Sequence, residues 1–456
     1  MVNIMSRVAL IGDNSIEYVD LLIDIWNNGD CAVLIDWRIP FLTAVEMMRE
    51  ASVKQCFIEK RLTSGEDISK VQDIEFIVFE RNCNSAKYLP SDVYDKFQNN
   101  YSQNEAVVIY SSGTTGKSKG IILSHFAINM NADAIIDYMQ PTNDDCIYIA
   151  KTLSHSSTLT GELLVALKSK IKLVIAPTIV PPRFVLNNIE KYKVSIIGVN
   201  PTLLNMYADE FRYNKYILTS LKTIYVSGSV LNDKIYNKAH DVFRNINIYN
   251  VYGLSEAGPR VTAQREDCCK ENSVGRPIKG VEIAIVNEQG ECVQVGERGV
   301  IHVNTKSLYS GYIVGTEKNK SLYNGWLNTG DIGYFDEYDE LHVVDRADDV
   351  IIIDSHKIYP SEVVSWIYKF ADIDECIVTN VEFRDENILC CLYTGSTEIV
   401  KDIKNKLSTV IMRYEIPRMF IKVDYIIKTM NNKVDLPKNK NIIIKSLEWR
   451  IRNEQG

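Results

Sequence analysis

The sequence lacks the features that mark membrane, zinc-binding and nucleic-acid-binding proteins. No apolar run approaches the ~20 residues that span a bilayer, and residues 1–7 lead directly into an apolar strand pattern instead of a signal peptide. The 10 cysteines include no Cys-x-x-Cys pair and no Cys/His group at zinc-like spacing. The formal net charge of −8 provides no basic field that would hold a nucleic-acid backbone. We therefore expect a cytoplasmic protein with free thiols, no membrane insertion and no nucleic-acid partner.

The length and the composition indicate a folded protein of more than one domain. The chain has 456 residues, of which 46% are hydrophobic and 24% are charged, as in soluble globular proteins. Because one domain usually takes roughly 100–200 residues, we expect at least two hydrophobic cores.

Apolar runs and amphipathic stretches alternate along the first part of the chain. Residues 107–110 and 173–175 are short apolar runs, whereas residues 16–26 and 233–243 have helical periodicity. Buried strands that alternate with surface helices predict an α/β fold with mostly parallel sheets.

The pattern changes to one typical of β structure after about residue 265. Residues 280–303 contain alternating apolar segments on both sides of a turn at 287–290, which predicts a hairpin. A strand at 350–353 and a helix that begins near Pro360 follow. We predict a large N-terminal domain and a small α+β C-terminal domain, with these bounds: 1–347 with a β-rich subdomain at about 265–345, and 348–456.

A loop rich in glycine and hydroxyl groups follows the apolar run at 107–110. Residues 109–120 read Ile-Tyr-Ser-Ser-Gly-Thr-Thr-Gly-Lys-Ser-Lys-Gly, in which the glycines allow close approach to an anion and the other side chains donate to phosphate oxygens. The spacing is not that of a Walker P-loop, because Ser111 stands where its first glycine belongs. A flexible surface loop is the alternative, but it does not explain the unbroken run of small and basic residues. The predicted phosphate-binding residues are Ser111, Ser112, Gly113, Thr114, Thr115, Gly116, Lys117 and Lys119.

This loop resembles the phosphate loop of the adenylate-forming (AMP-binding) enzyme superfamily, which includes acyl- and aryl-CoA ligases, nonribosomal peptide adenylation domains and firefly luciferase. Residues 7–15 already resemble the first well-defined strand and turn of that family, so we expect a short version of its fold. The family's nucleotide-binding domain and small mobile C-terminal domain are implied for this chain. Further segments resemble the family's motifs in the family's order, at 227–231, 250–256, 326–331, 345–349 and 429–435.

The segment 250–256, Asn-Val-Tyr-Gly-Leu-Ser-Glu, resembles the family's Tyr-Gly-x-Ser/Thr-Glu signature. The resemblance implies that Tyr252 packs on adenine and that Ser255 contacts phosphate. It also implies that Glu256 binds Mg²⁺ together with Thr115. The other nucleotide-binding residues that it implies around this segment are Gly228, Ser229, Asn250 and Gly253.

The later motifs imply ribose-binding and hinge residues. Thr-Gly-Asp at 329–331 implies that Asp331 accepts hydrogen bonds from both ribose hydroxyls. Arg346 is implied near the ribose and phosphate, and Asp348 at the hinge on which the small domain turns between two half-reactions. Alone, an acidic pair at a domain boundary is usually a solvated turn.

The segment 429–435 resembles the region that carries the family's adenylation lysine, which implies that Lys433 is catalytic. Its ammonium group would bridge the carboxylate of the acid and the α-phosphate, holding the reacting atoms together and offsetting charge. Without the resemblance, a lysine in this basic stretch would be interpreted as a surface residue.

The acid substrate is partly constrained by residues 153–158, Leu-Ser-His-Ser-Ser-Thr. Amino-acid-activating members have an aspartate in the corresponding stretch, so an amine-free aryl or acyl acid is favoured. Leu-Ser-His is closer to the Leu-x-His of aryl- and acyl-CoA ligases. His155 therefore either gates the acid pocket or is structural, and Asn200, Gly253 and Leu254 are further predicted substrate-binding residues.

The acceptor of the acyl group is implied by the resemblance to be the thiol of coenzyme A or of the phosphopantetheine of an acyl or aryl carrier protein. Asp354 and Ser355 stand where the family normally has glycines in the loop that lines the thiol channel. One alternative is therefore transfer to an amine or hydroxyl. Another is a catalytically silent nucleotide-binding scaffold, against which Glu256, Asp331 and Lys433 argue.

Overall fold

The structure, a computed structural model, describes residues 5–64, 68–81, 85–112, 118–268, 272–314, 322–353, 356–384, 386–395, 400–428 and 434–454. The large N-terminal part is built on two mainly parallel β-sheets with helices packed against them. Every helix that the structure describes is too short or too polar to cross a bilayer. The helices of the N-terminal part are Ile16–Asn27, Phe41–Glu50, Ser91–Lys96, His125–Met139, Ser156–Thr158, the π-helical turn Leu159–Leu164, Val165–Ser169, Pro182–Lys191, Pro201–Tyr213 and Asp233–Val242.

The first sheet is parallel in its centre and antiparallel at one edge. Its strand Cys31–Asp36 is buried on both faces, as expected of a central parallel strand covered by helices on both sides. Ser15 caps the first helix by accepting the backbone N–H of Tyr18 at 3.0 Å. In spatial order the strands are Gly311–Tyr312, Ser118–Ser124, Glu105–Ser112, Cys31–Asp36, Arg7–Gly12, Gln55–Glu59 and Glu75–Phe79.

The second sheet has parallel central strands whose carboxyl ends lie at one edge. Ile196–Val199, Thr223–Val226 and Asn247–Tyr252 are neighbours and run in the same direction. Ligands of open α/β sheets bind at this edge, where Gly228 and Gly253 follow their strands. In spatial order the strands are Arg276–Pro277, Thr262–Ala263, Asn247–Tyr252, Thr223–Val226, Ile196–Val199, Cys146–Ile149, Lys172–Ile175 and Lys87–Tyr88.

One continuous hydrophobic core joins the two sheets. Leu10 and Leu34 of the first sheet and Ile147 of the second belong to the same buried cluster. Ile128, on the helix His125–Met139, packs into this cluster as well. The helix and the two sheets therefore share one core.

An antiparallel sheet follows in the chain, with its turn between Val281–Val286 and Gly299–Thr305 where the sequence predicts a hairpin. Its remaining strands include Trp326–Phe335 and Leu341–Arg346, which pair with each other, and Leu322–Tyr323. The predicted α/β class, with parallel-rich sheets and a separate β-rich part, is confirmed.

The C-terminal part has a three-stranded sheet covered on both faces. The side chains of Cys391 and Tyr393 belong to one core cluster and those of Cys390 and Leu392 to another, as the two-residue period of a strand requires. The secondary-structure elements are Ile351–Ile353, His356–Ile358, the helix Pro360–Phe370, the sheet strands Glu375–Phe383, Glu386–Thr394 and Met419–Lys422, and the helices Val400–Leu407 and Leu436–Glu454.

Polar contacts join this C-terminal part to the rest of the chain. Arg298 donates to both carboxylate oxygens of Glu362, at 2.9 and 2.7 Å. The backbone N–H of Ser361 donates to Asp345 at 2.9 Å. Exposed ion pairs usually contribute only about 0–1 kcal/mol, although two-pronged arginine–carboxylate pairs such as that of Arg298 and Glu362 are among the stronger ones. The hinge at Asp348 and the movement of the small domain stay predictions.

Candidate active site

The two strands that flank residues 113–117 of the glycine-rich run pair with each other, and this strand pair is called the hairpin below. Glu105–Ser112 pairs antiparallel with Ser118–Ser124, and Ser111 lies opposite Lys119 in the register. Gly120 packs closely, since a β-carbon at this position would lie 2.8 Å from the side chain of Ile313. Of the predicted phosphate-binding residues, five lie outside the described residues: Gly113, Thr114, Thr115, Gly116 and Lys117.

Tyr312 connects this hairpin to the Glu256 signature. Its short strand pairs with the hairpin at Ile121 and Ile122, and its hydroxyl donates to Glu256 Oε1 at 3.0 Å. The ammonium group of Lys119 lies 5.6 Å from the centre of the Tyr312 ring. Burial and then the charge of Glu256 raise the pKa of Tyr312 well above its ordinary value, so the hydroxyl stays a donor.

The turn after Asn247–Tyr252 requires glycine at position 253. A β-carbon on Gly253 would lie 1.8 Å from the carbonyl oxygen of Pro259, a separation that no side chain tolerates. Ser255 begins a short 3₁₀ turn, and its hydroxyl shares a hydrogen bond of 2.7 Å with that of Ser156. Leu254 is half-buried against the central core. The backbone of this signature is therefore tightly fixed.

Tyr252, Asp331 and Arg346 form a partly buried group. The Tyr252 hydroxyl donates to Asp331 Oδ2 at 2.5 Å, and Arg346 Nη1 donates to Oδ1 at 2.8 Å. The two strands place Asp331 directly opposite Arg346. Burial, followed by the charge of Asp331, raises the pKa of Tyr252 well above its ordinary value. Arg346 Nε is buried without a hydrogen-bond partner among the described residues, so this group has unused donor capacity.

The turn predicted beside adenine lies at the carboxyl edge of the second sheet. Gly228 has a φ of +97°, a backbone conformation that favours glycine. Gly228 and Ser229 are both exposed. Asn232 then caps the next helix by accepting the backbone N–H of Ile235 at 2.9 Å. This edge therefore offers backbone and hydroxyl groups to a ligand.

Both predicted asparagines bond to the protein's own backbone. Asn200 Oδ1 caps a helix by accepting the N–H of Leu203 at 2.8 Å, and Asn250 Nδ2 donates to the carbonyl oxygen of Ser273 at 3.3 Å. His155 is exposed directly before the helical segment that begins at Ser156. The structure thus gives the two amides positioning contacts, and ligand contacts of all three residues stay predictions.

The predicted catalytic lysine, Lys433, lies outside the described residues, as do Asp354 and Ser355 of the thiol-channel loop. Asp348 lies in the short 3₁₀ helix Ala347–Asp349, directly after the strand that carries Arg346.

The candidate Mg²⁺ ligand is a single carboxylate. Within the described ranges, no group of three or more His, Cys, Asp or Glu side chains could hold a metal ion. Mg²⁺ fits Glu256 nevertheless, because this ion is commonly held by one or two carboxylates, water and the phosphates of its substrate. Tyr312 donates to Oε1 of Glu256, so Oε2 would be the oxygen left to hold the ion.

A second buried polar group lies at the same edge of the sheet, and the sequence motifs did not predict it. Lys151 Nζ and Glu162 Oε1 form an ion pair of 3.0 Å, and Arg260 lies nearby. A charged residue within the apolar helical run 159–167 was the available signal for Glu162. The sequence contains no such signal for Tyr312, because this residue reaches Glu256 only through the pairing of its strand.

Comparison with known proteins links these features to one family. The AMP-binding enzyme family matches residues 2–313. 4-Coumarate-CoA ligase 1 of Narcissus pseudonarcissus is 26% identical over 460 residues, covering 94% of this chain and 82% of that protein. Indoleacetate-CoA ligase of Aromatoleum aromaticum is 25% identical over 448 residues, covering 94% and 86%.

Solved structures have the same fold. The anthranilate CoA ligase AuaEII in complex with anthranoyl-AMP has a TM-score of 0.84 at 18% identity, over 98% of this chain and 89% of that one. The o-succinylbenzoate coenzyme A synthetase of Bacillus subtilis, with ATP and magnesium ion, has a TM-score of 0.80 at 21% identity, over 95% and 89%. The family match covers more than half of the sequence and confirms the resemblance: this chain belongs to the AMP-binding enzyme family.

Proposed function

We propose that this protein activates a carboxylic acid with ATP and transfers the acyl group to the thiol of coenzyme A. The observation that carries the proposal is that one short segment, residues 252–256, contributes to two hydrogen-bonded polar groups. Tyr252, Asp331 and Arg346 form a hydrogen-bonded group that would hold the ribose, and Glu256 with Tyr312 forms a second one that would hold Mg²⁺. Family membership and the CoA ligases among the relatives support an acid-thiol ligase.

The nucleotide would be held by side chains that are already oriented. Asp331 accepts one hydrogen bond on each carboxylate oxygen and has lone pairs left for the ribose hydroxyls. The ring of Tyr252 would face adenine beside the exposed backbone at Gly228. Arg346 would donate to the ribose or to the α-phosphate. Each contact uses a group that the strands fix before the nucleotide binds.

The first half-reaction needs positioning and charge neutralisation and no protein nucleophile. An oxygen of the acid attacks the α-phosphorus of ATP, the bond to the β-phosphate breaks, and pyrophosphate leaves. Mg²⁺ on Glu256 would neutralise charge on the phosphate oxygens. Lys433 would hold the attacking carboxylate against the α-phosphate.

In the second half-reaction the thiol of coenzyme A attacks the acyl carbon. The thioester forms, the carbon–oxygen bond to phosphate breaks, and AMP leaves with the electron pair. The thiol proton passes to water or to AMP. The acid is proposed to be an aryl or acyl acid without an α-amine. A carrier-protein thiol is a further proposed acceptor.

Transfer to an amine or hydroxyl is the second candidate. It is favoured by Asp354 and Ser355, which add side chains where the family's thiol channel normally has glycines. Incubation with ATP, an acid and each acceptor in turn separates the candidates. Acyl-CoA detected by mass spectrometry supports the first, and adenylate without any thioester supports the second.

The assignment of Lys433 is tested by substitution with alanine. We expect Lys433→Ala to lose roughly 100-fold or more of adenylate formation, because a fixed positive charge at the reacting atoms disappears. Lys445→Ala is the matched control, since Lys445 is exposed on the last helix. Equal activity of the two variants would show that Lys433 is not catalytic.

A further inference from the structure

The buried ion pair of Lys151 and Glu162 lies at the carboxyl edge of the second sheet, beside the proposed nucleotide site. Lys151 follows the strand Cys146–Ile149, and its ammonium group donates to Glu162 Oε1 at 3.0 Å. It also donates to Ser227 Oγ at 3.4 Å, directly before the turn at Gly228. The pair therefore lies next to the edge at which a nucleotide would bind.

Glu162 is buried, and only one of its two carboxylate oxygens has a hydrogen-bonding partner among the described residues. The residue is 5% exposed, and its Oε2 atom is buried without a hydrogen-bond partner in the part of the chain that the structure describes. A buried carboxylate oxygen without a donor is unfavourable, so such atoms usually have a partner that the protein alone does not supply. Glu162 also lies in the π-helical turn Leu159–Leu164, a distortion that is frequent at functional sites.

Two glycines make room for these charges. A β-carbon on Gly198 would lie 2.3 Å from Glu162 Oε1 and 3.3 Å from Lys151 Nζ. A β-carbon on Gly161 would lie 3.1 Å from Arg260 Nη2. The space that a hydrophobic pocket would fill with side chains is thus occupied by a carboxylate and two cations.

The charges around Glu162 restrict what can approach its free oxygen. Arg260 is 6% exposed and donates to the Tyr138 hydroxyl at 2.6 Å. Burial raises the pKa of Glu162, whereas Lys151 and Arg260 act in the opposite direction. Two cations already face one carboxylate, so a third positive charge would be repelled. A neutral hydrogen-bond donor, in contrast, could bond to the free Oε2 atom of Glu162 without this repulsion.

The cluster is connected to the signature that would bind the adenylate. Ser156 precedes the π-helical turn of Glu162 in one continuous helical segment and bonds to Ser255. The α-carbon of Arg260 would lie 3.1 Å from a β-carbon on Gly253. Ser156 and Arg260 therefore link Glu162 to the segment at which an adenylate would bind.

We infer that Glu162, held by Lys151, is a specificity-determining residue that selects acids with a neutral hydroxyl group at the end remote from the reacting carboxylate. The hydroxyl donates to Glu162 Oε2 and supplies the missing hydrogen bond. This inference rests on the proposed function, because it assumes that the site adenylates an acid.

The test compares matched acids in acid-dependent pyrophosphate exchange. One set is 3-phenylpropanoic, 3-(4-hydroxyphenyl)propanoic and 3-(4-carboxyphenyl)propanoic acid, and the other is hexanoic, 6-hydroxyhexanoic and adipic acid. We expect the hydroxy acid of at least one set to exceed its unsubstituted partner in kcat/KM by about tenfold or more, mainly through KM. Preference for the unsubstituted acid or the diacid in both sets would overturn the inference.

The variant Glu162→Gln tests the residue itself, with Glu282→Gln on an exposed strand position as control. We expect Glu162→Gln to reduce the preference for the hydroxy acid to about threefold or less, while the KM for ATP stays unchanged. An unchanged preference would contradict the role of Glu162. Absence of exchange with every acid would overturn the proposed function first, and the inference with it. The acid preference of the unmodified protein tests the inference even if the variant does not fold.

Discussion

Tyr312→Phe tests whether the hairpin and the Glu256 signature act as one unit. The substitution keeps the ring under Lys119 but removes the hydroxyl that donates to Glu256 Oε1 at 3.0 Å. A hydrogen bond to a charged group contributes about 1.5–3 kcal/mol. If Glu256 is correctly oriented for Mg²⁺ only with this bond, kcat/KM for adenylation falls roughly 10–150-fold.

Pyrophosphate release at several Mg²⁺ concentrations measures this effect. We expect the variant to need more Mg²⁺ for half-maximal rate, while the KM for the acid stays the same. Tyr213→Phe is the control, because Tyr213 is 79% exposed. Wild-type rates and an unchanged Mg²⁺ requirement in Tyr312→Phe would refute the reasoning. A lower melting temperature with unchanged kinetics would show that Tyr312 stabilises the fold and does not orient Glu256 for Mg²⁺.

Three further predictions concern the nucleotide site, the core and acid stability. Asp331→Asn removes the charge that faces the neighbouring guanidinium, and we expect the Kd for ATP in calorimetry to rise about tenfold or more. Gly198→Ala places a methyl group 2.3 Å from Glu162 Oε1, so urea unfolding should show a loss of about 1–3 kcal/mol. Burial acts to raise the pKa of Asp145, but a hydrogen bond from Lys222 and others lower it overall from 3.8 to about 2. This stability is present above pH 3.8 and lost as the pH falls towards about 2, so Asp145→Asn should flatten that part of the pH profile of unfolding.

The alternation of apolar runs and amphipathic stretches was sufficient to predict the α/β class, and the order of short motifs was sufficient to predict the family. Residues 109–120 indicate a phosphate loop because packing alone does not require a run of small and basic side chains behind a buried strand. The antiparallel pairing of the flanking strands Glu105–Ser112 and Ser118–Ser124 was not predicted, since an antiparallel return strand has the same apolar pattern as a buried parallel one. Local sequence therefore indicated the chemistry better than the geometry.

The contacts that join distant segments could not be predicted. Tyr312 reaches Glu256 only because its short strand pairs with the hairpin, and no local pattern encodes that pairing. The sequence shows Glu162 as a charged residue within an apolar helical run. Its burial, however, depends on Gly198, a residue of another strand that leaves space for its carboxylate. Such information arises from packing across the sheet edge and is absent from spacing along the chain.

The most direct test of the account is acid-dependent exchange of labelled pyrophosphate into ATP by the full chain. The assay reports reversible formation of an acyl-adenylate and needs no knowledge of the final acceptor. The account predicts exchange that requires both an added carboxylic acid and Mg²⁺ and that is largely lost in Lys433→Ala. Exchange that is absent with every acid, or that proceeds equally without one, would contradict it.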